Sequence, residues 1–136
     1  MTAQVRGIIV ILSGFDRRRM RKERTDLPRG TLDLLILKAL SLGPLHGVGI
    51  SQRIRQMTSG AFQVSFGSLF PSLHRMEEKG WVAAEWRASE NNRRAKYYKL
   101  MAAGRKRAAI EERDWNRVVE VMATALQHLR TTGEEA

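Results

Sequence analysis

The chain has 136 residues, 24 Lys and Arg against 14 Asp and Glu for a net charge of +10, 43% hydrophobic residues and no cysteine. That is one domain's length with enough apolar content for a core, which excludes a wholly disordered chain, a disulfide scaffold and a thiolate metal site. His46, His74 and His128 stand too far apart for zinc, and the charge favours a polyanionic partner while leaving an anionic membrane or mere solubility open.

The charge is uneven, +4 over residues 1–26, +6 over residues 27–100 and zero over residues 101–136. Residues 5–15 are apolar but interrupted by Arg6, Gly7 and Gly14, short of the roughly 20 residues a bilayer span needs. The basic cluster from Arg17 to Arg24 follows that run, the reverse of an export signal, and no small-residue cleavage site is in view. Residues 1–26 are therefore expected to be a disordered basic extension, with a DNA-contacting arm or a membrane-surface anchor as alternatives. The change to patterned sequence just after Met20 also admits residues 1–19 as a gene-model extension. With no cysteine and no export signal, the expected compartment is the cytoplasm.

Leu27-Pro28-Arg29-Gly30-Thr31 is a stop-and-start signal, and the leucines that follow to Leu42 predict a buried helix ended by Gly43-Pro44. A second helix is expected over residues 46–57, with Val48, Ile50, Ile54 and Met57 as its apolar side, followed by a turn at Thr58-Ser59-Gly60. Leu69, Leu73 and Met76 repeat at helical spacing before Gly80, a natural C-terminal cap. Pro71, tolerated in a first turn, places the start of this third helix near Gly67 or Ser68.

Residues 81–86 and 96–100 read as two strands around a polar tip with adjacent arginines. The whole is mainly α with a small β-hairpin: a winged helix-turn-helix over residues 27–100, whose third helix would enter the major groove. Residues 101–130 continue as one long helix, with 131–136 as a frayed tail. Ile110, Trp115, Val118, Val119, Met122, Ala125, Leu126 and Leu129 form a stripe longer than so small a domain covers. A homodimer through that stripe is expected, and its two-fold symmetry implies a pseudo-palindromic duplex target. The alternative is a helix folded back on its own domain.

Base reading is expected from the start of the third helix, where Ser65, Ser68, Ser72 and Arg75 would point outward opposite Leu69, Leu73 and Met76, with Gln63 just before it. Ser68 is equally a helix cap. Arg93, Arg94 and Lys96 in the wing are expected phosphate or minor-groove contacts supported by Asn91 and Asn92, or else solubilising groups. Arg29, Arg53 and Arg55 are weaker candidates, and His46 and His74 read as a cap and a surface group. Trp81, Trp86, Tyr97 and Tyr98 read as core, whereas Trp115, Val118 and Met122 could form an apolar pocket between subunits for an aromatic effector. No nucleophile, paired carboxylate or glycine-rich phosphate loop is visible, so no enzyme and no cofactor are expected. A protein-interaction adaptor that reads no DNA is the competing function.

These motifs, in order, resemble the PadR family of bacterial transcriptional regulators from about Leu27 to Leu129. Gly30-Thr31-Leu32-Asp33-Leu34-Leu35-Ile36-Leu37 resembles the family's first helix, and Pro44-Leu45-His46-Gly47 the junction to its second. The stretch from Gly67-Ser68-Leu69-Phe70-Pro71 to Gly80 is similar to its recognition helix. Glu85-Trp86, Arg93-Arg94-Ala95-Lys96-Tyr97-Tyr98 and Ala103-Gly104-Arg105 resemble its wing and last helix. Departures are Val48 for an aromatic, Met101 for a threonine, and Phe70 for a tyrosine whose hydroxyl would be a possible phosphate contact. The resemblance implies a dimeric DNA-binding repressor of the subgroup with one C-terminal helix, commonly released by a ligand near the dimer interface.

Overall fold

A computed structural model describes residues 29–88 and 90–135. The expected extension over residues 1–26, the choice of Met20 as a start and the signal at Leu27-Pro28 lie outside the described residues. Helix α1 (Arg29–Ala39) runs into a 3-10 turn (Leu40–Leu42), then strand β1 (Leu45–His46) and helices α2 (Gly47–Met57) and α3 (Phe66–Glu78). Strands β2 (Val82–Ala88) and β3 (Arg94–Leu100) form the wing, and helix α4 (Ala102–Glu135) ends the chain.

Helix α1 buries Ile36, Leu37 and Ala39 at the centre of the core. It stops at Gly43, whose φ of +150° suits a residue without a Cβ, followed by Pro44. The next two residues form a strand that sequence patterning does not reveal, because two residues cannot show an alternation. Leu45 pairs with Tyr98 and His46 with Tyr97, so the wing is a three-stranded antiparallel sheet in the order β1-β3-β2 instead of a two-stranded hairpin. His46 then caps α2, its Nδ1 accepting from the Gly49 N–H at 3.0 Å.

Ile50 and Ile54 are the buried side of α2, but Val48 and Met57 are exposed, which corrects the wider stripe expected. The connection to α3 is pinned at its start by Thr58, whose hydroxyl donates to the Ile54 carbonyl at 3.0 Å and accepts from the Phe62 N–H at 3.2 Å. Phe62 and Val64 are buried in the core, so this linker is tied down along its length.

Helix α3 begins at Phe66, one or two residues before the position Pro71 suggested, and holds that proline in its second turn. The bond lost is the one to the Gly67 carbonyl, and Gly67 is exposed, where water can hydrate that oxygen. The helix closes at Gly80, φ +75°, with Trp81 N–H to the Met76 carbonyl at 3.0 Å and Gly80 N–H to that of Glu77 at 3.1 Å. That paired closure is a Schellman motif.

In the wing, Val82, Ala84, Tyr98 and Leu100 share the face that packs on the core. Farther out the same face carries Trp86, Lys96 and Arg94, and there the core has ended. Trp86 is 59% exposed, which corrects its reading as a core residue. The opposite face carries Arg87 stacked 4.2 Å above the Tyr97 ring.

Helix α4 docks through its first turns only. Gly104 and Ala108 are buried, and Lys38 of α1 pairs with Glu112 at 3.3 Å. From residue 113 to residue 133 every side chain except Val119 is exposed. The helix does not fray at Thr131 as expected but continues to Glu135. The Thr131 and Thr132 hydroxyls donate to the carbonyls of Gln127 and His128 at 3.0 and 2.9 Å, one turn back.

Candidate nucleic-acid interface

Helices α2 and α3, joined by the pinned turn, make the helix-turn-helix, and the wing rises beside α3. The inward side of α3 is Leu69, Leu73 and Met76, as the spacing predicts, all fully buried. Its outward residues follow the i, i+4 row Phe66, Phe70 and His74, with Gly67 and Pro71 beside them. Phe66 is 49% and Phe70 45% exposed, their ring centroids 5.7 Å apart.

This placement redistributes the expected base readers. Gln63 is exposed. Ser65 and Ser68 are half-buried and bonded to each other, Ser65 Oγ donating to Ser68 Oγ at 3.2 Å. Ser72, expected to point outward, is only 5% exposed because it lies on the flank of the Leu69 and Leu73 stripe. Arg75 does not reach outward either: one guanidinium nitrogen donates to both carboxylate oxygens of Asp33 on α1, at 2.7 and 2.8 Å. His74 Nε2 lies 3.0 Å from the Glu78 carboxylate on the same helix.

In the wing, Asn91, Asn92, Arg93 and Arg94 are exposed together at the tip, and Asn92 takes the left-handed φ of +60° that turns the chain. Lys96 differs from its neighbours, being half-buried with Nζ 3.3 Å from Glu77 Oε1 of α3. That pair braces the wing against the recognition helix. Burial pushes the Tyr98 hydroxyl above its ordinary value, partly offset by the charge of nearby Lys96, so Tyr98 stays a neutral member of the wing base.

Three residues that the sequence did not place at the interface complete the surface. Phe66 joins Phe70, Trp86 faces the cleft between wing and helix, and Gly47 is the floor on which the Phe70 ring rests. A Cβ at position 47 would lie 2.7 Å from Phe70 Cζ, which explains a glycine directly after the His46 cap. The available signal was Phe66 and Phe70 recurring at i, i+4 outside the leucine stripe.

The expected dimerisation residues fall on the free part of α4. Trp115, Val118, Met122, Leu126 and Leu129 are exposed there with Ala125, Val119 is half-buried, and Ile110 lies at the edge of the docked part. Trp115, Val118 and Met122 are each about half exposed. Among the described residues no three His, Asp or Glu side chains gather as a metal site, and no helix is long and apolar enough to cross a membrane.

Helix-turn-helix, three-stranded wing and a projecting last helix define a winged-helix transcriptional regulator. The model of the transcriptional regulator PadR-like family matches residues 36–110, more than half of the chain, and the chain belongs to that family. Its members are regulators, not enzymes. A transcriptional regulator of Mycobacterium tuberculosis is 31% identical over 87 residues, 64% of this chain and 76% of that protein. Two crystal structures at 26% identity are similar in fold. A PadR-like transcriptional regulator from Bacillus cereus has a TM-score of 0.63 over 72% of this chain and 93% of its own. A PadR family transcription regulator from Clostridium difficile has a TM-score of 0.61 over 70% of this chain and 97% of its own.

Proposed function

We propose that this protein is a cytoplasmic, sequence-specific DNA-binding repressor that acts as a homodimer on a pseudo-palindromic operator. The observation that carries the reading is the exposed start of α3 lying beside an exposed wing tip with Arg93 and Arg94. One presents side chains to a groove and the other presents cations to phosphates. Residues 27–100 act as the DNA-binding unit and α4 as the dimerisation unit. Trp115, Val118, Met122, Ala125 and Leu129 follow each other by three and four residues, the seam of a helix pair. An apolar effector entering that seam beside Trp115 would release the DNA, and its binding is read as a change in tryptophan fluorescence.

The deciding experiment is binding to the DNA upstream of the protein's own gene against an unrelated fragment of equal length near physiological salt. A preference of roughly a thousandfold is expected; equal, weak binding to both would leave charge as the only attraction and favour the adaptor. Replacing Arg93 and Arg94 with alanine removes four arginines per bound dimer and should reduce the slope of log affinity against log salt by about 4, equally on all sequences.

The dimer has its own test. Met122→Glu puts a charge in the middle of the stripe and should yield monomers in sedimentation. With one half-site engaged at a time, operator affinity should drop by about a hundredfold or more. A variant that remains dimeric would place the interface elsewhere.

A further inference from the structure

The outward face of α3 is unusual for a surface that reads DNA, because it has almost no side chain with which to hydrogen-bond a base. Arg75 is held by Asp33, Glu77 by Lys96, and His74 stands against Glu78. Ser72 is buried, and Ser65 and Ser68 are bonded to each other. The groups left facing out along the first two turns are the rings of Phe66 and Phe70, with Gly67 and Pro71. Both rings are about half exposed; they lie against one another, and the Phe70 ring also sits over Gly47.

A base pair offers one apolar feature in the major groove, the C5-methyl group of thymine; every other distinguishing mark there is a donor or an acceptor. We infer that Phe66 and Phe70 are specificity-determining residues that recognise thymine methyl groups, so that the operator is selected by where its thymines stand. The inference rests on the DNA-binding reading and adds which base feature is read and by which atoms. The charge around the face fits this division of labour. Arg93 and Arg94 at the wing tip supply attraction that is blind to sequence, while the uncharged rings supply discrimination. Gly47 belongs to the same device, since a larger residue there would lift the Phe70 ring from its seat.

The test removes single methyl groups from the DNA. The full chain is used to select sites from a random duplex library, and each thymine of the selected site is then replaced by deoxyuridine, which pairs identically but lacks the methyl. One or two thymines in each half-site are expected at which this weakens binding about three- to fourfold per methyl. At those positions Phe66→Ala or Phe70→Ala should bind the thymine and uracil duplexes equally well. Phe70→Leu, which keeps an apolar side chain of shorter reach, serves as a second variant, and circular dichroism confirms that each is folded. Selected sites that tolerate uracil throughout, or a uracil penalty that persists undiminished in all three variants, would overturn the inference while leaving specific DNA binding intact. A library that yields no preferred sequence would overturn the DNA-binding reading and this inference with it.

Discussion

Gly104→Ala is expected to destabilise the protein by about 3 kcal/mol or more, against the trend for glycine in helices. Helix propensity alone would make the change favourable by roughly 1 kcal/mol. At this position, however, the added Cβ would overlap the Trp81 carbonyl oxygen, and it would lie 2.7 Å from Leu100 Cδ1 and 3.0 Å from the Trp81 carbonyl carbon. That carbonyl cannot swing aside, because it accepts the Met101 N–H at 2.9 Å and so ties the start of the wing to the start of α4. Backbone overlap of this kind belongs with the overpacking that costs cores 1–3 kcal/mol and more. Urea unfolding measures it, and Gly133→Ala in the same helix is the control. Nothing surrounds position 133, so alanine there should be neutral or mildly stabilising. A Gly104→Ala protein as stable as the parent would mean that α4 does not approach Trp81 so closely.

The second large effect is at the pair linking α1 to the recognition helix. Asp33→Ala leaves the Arg75 guanidinium, its side chain only 27% exposed, without its carboxylate. A fully buried pair loses about 3–5 kcal/mol when one partner is removed; with water reaching part of this one, a loss of about 2 kcal/mol is expected. Arg75→Met should cost at least as much, because Asp33 is the more buried partner at 13%. The double variant Asp33→Leu with Arg75→Met should recover much of the loss, since no charge is then stranded. The same Arg75→Met protein, where folded, should keep its operator preference. A changed preference would show that Arg75 leaves Asp33 to meet a base.

Most of the fold was legible because it rests on strong periodic signals. The Leu69, Leu73 and Met76 row and the glycine closing α3 did in the structure what their spacing required, whereas the first helix buries Ile36, Leu37 and Ala39 but leaves its other leucines half-buried and Leu42, past its end, exposed. Strand β1 was not legible, as its existence depends on a partner more than 50 residues away and not on its own pattern. The start of the helix that holds Pro71 was misplaced by one or two residues for a related reason: the solvent exposure of Gly67, a tertiary property, makes the missing hydrogen bond tolerable.

The candidate site was harder to read, and the errors share one origin. Residue type suggests what a side chain can bind, but partners across the fold decide whether it is free to do so. Arg75 has the right chemistry for guanine and Lys96 for phosphate, and each is engaged by a carboxylate that lies 42 or 19 positions away in the chain. Conversely Trp86 reads as a core residue and Phe66 suggests no role in the sequence, yet both stand on the surface beside Phe70 because helix and sheet extend past the core there.

Helix α4 has a mechanical consequence for regulation. It runs from Ala102 to Glu135 without a proline, about 51 Å of continuous rod, and its base is fixed to α1 and the wing by Gly104, Ala108 and Glu112. In the proposed dimer such a rod is a lever arm with its fulcrum at the seam. Tilting the two rods by about 5° across a distance of roughly 30 Å would shift each recognition helix by about 2.6 Å, comparable to the 3.4 Å rise between base pairs. The proposed effector would need to change the crossing of the two helices by only a few degrees to put both reading heads out of step with the proposed half-sites.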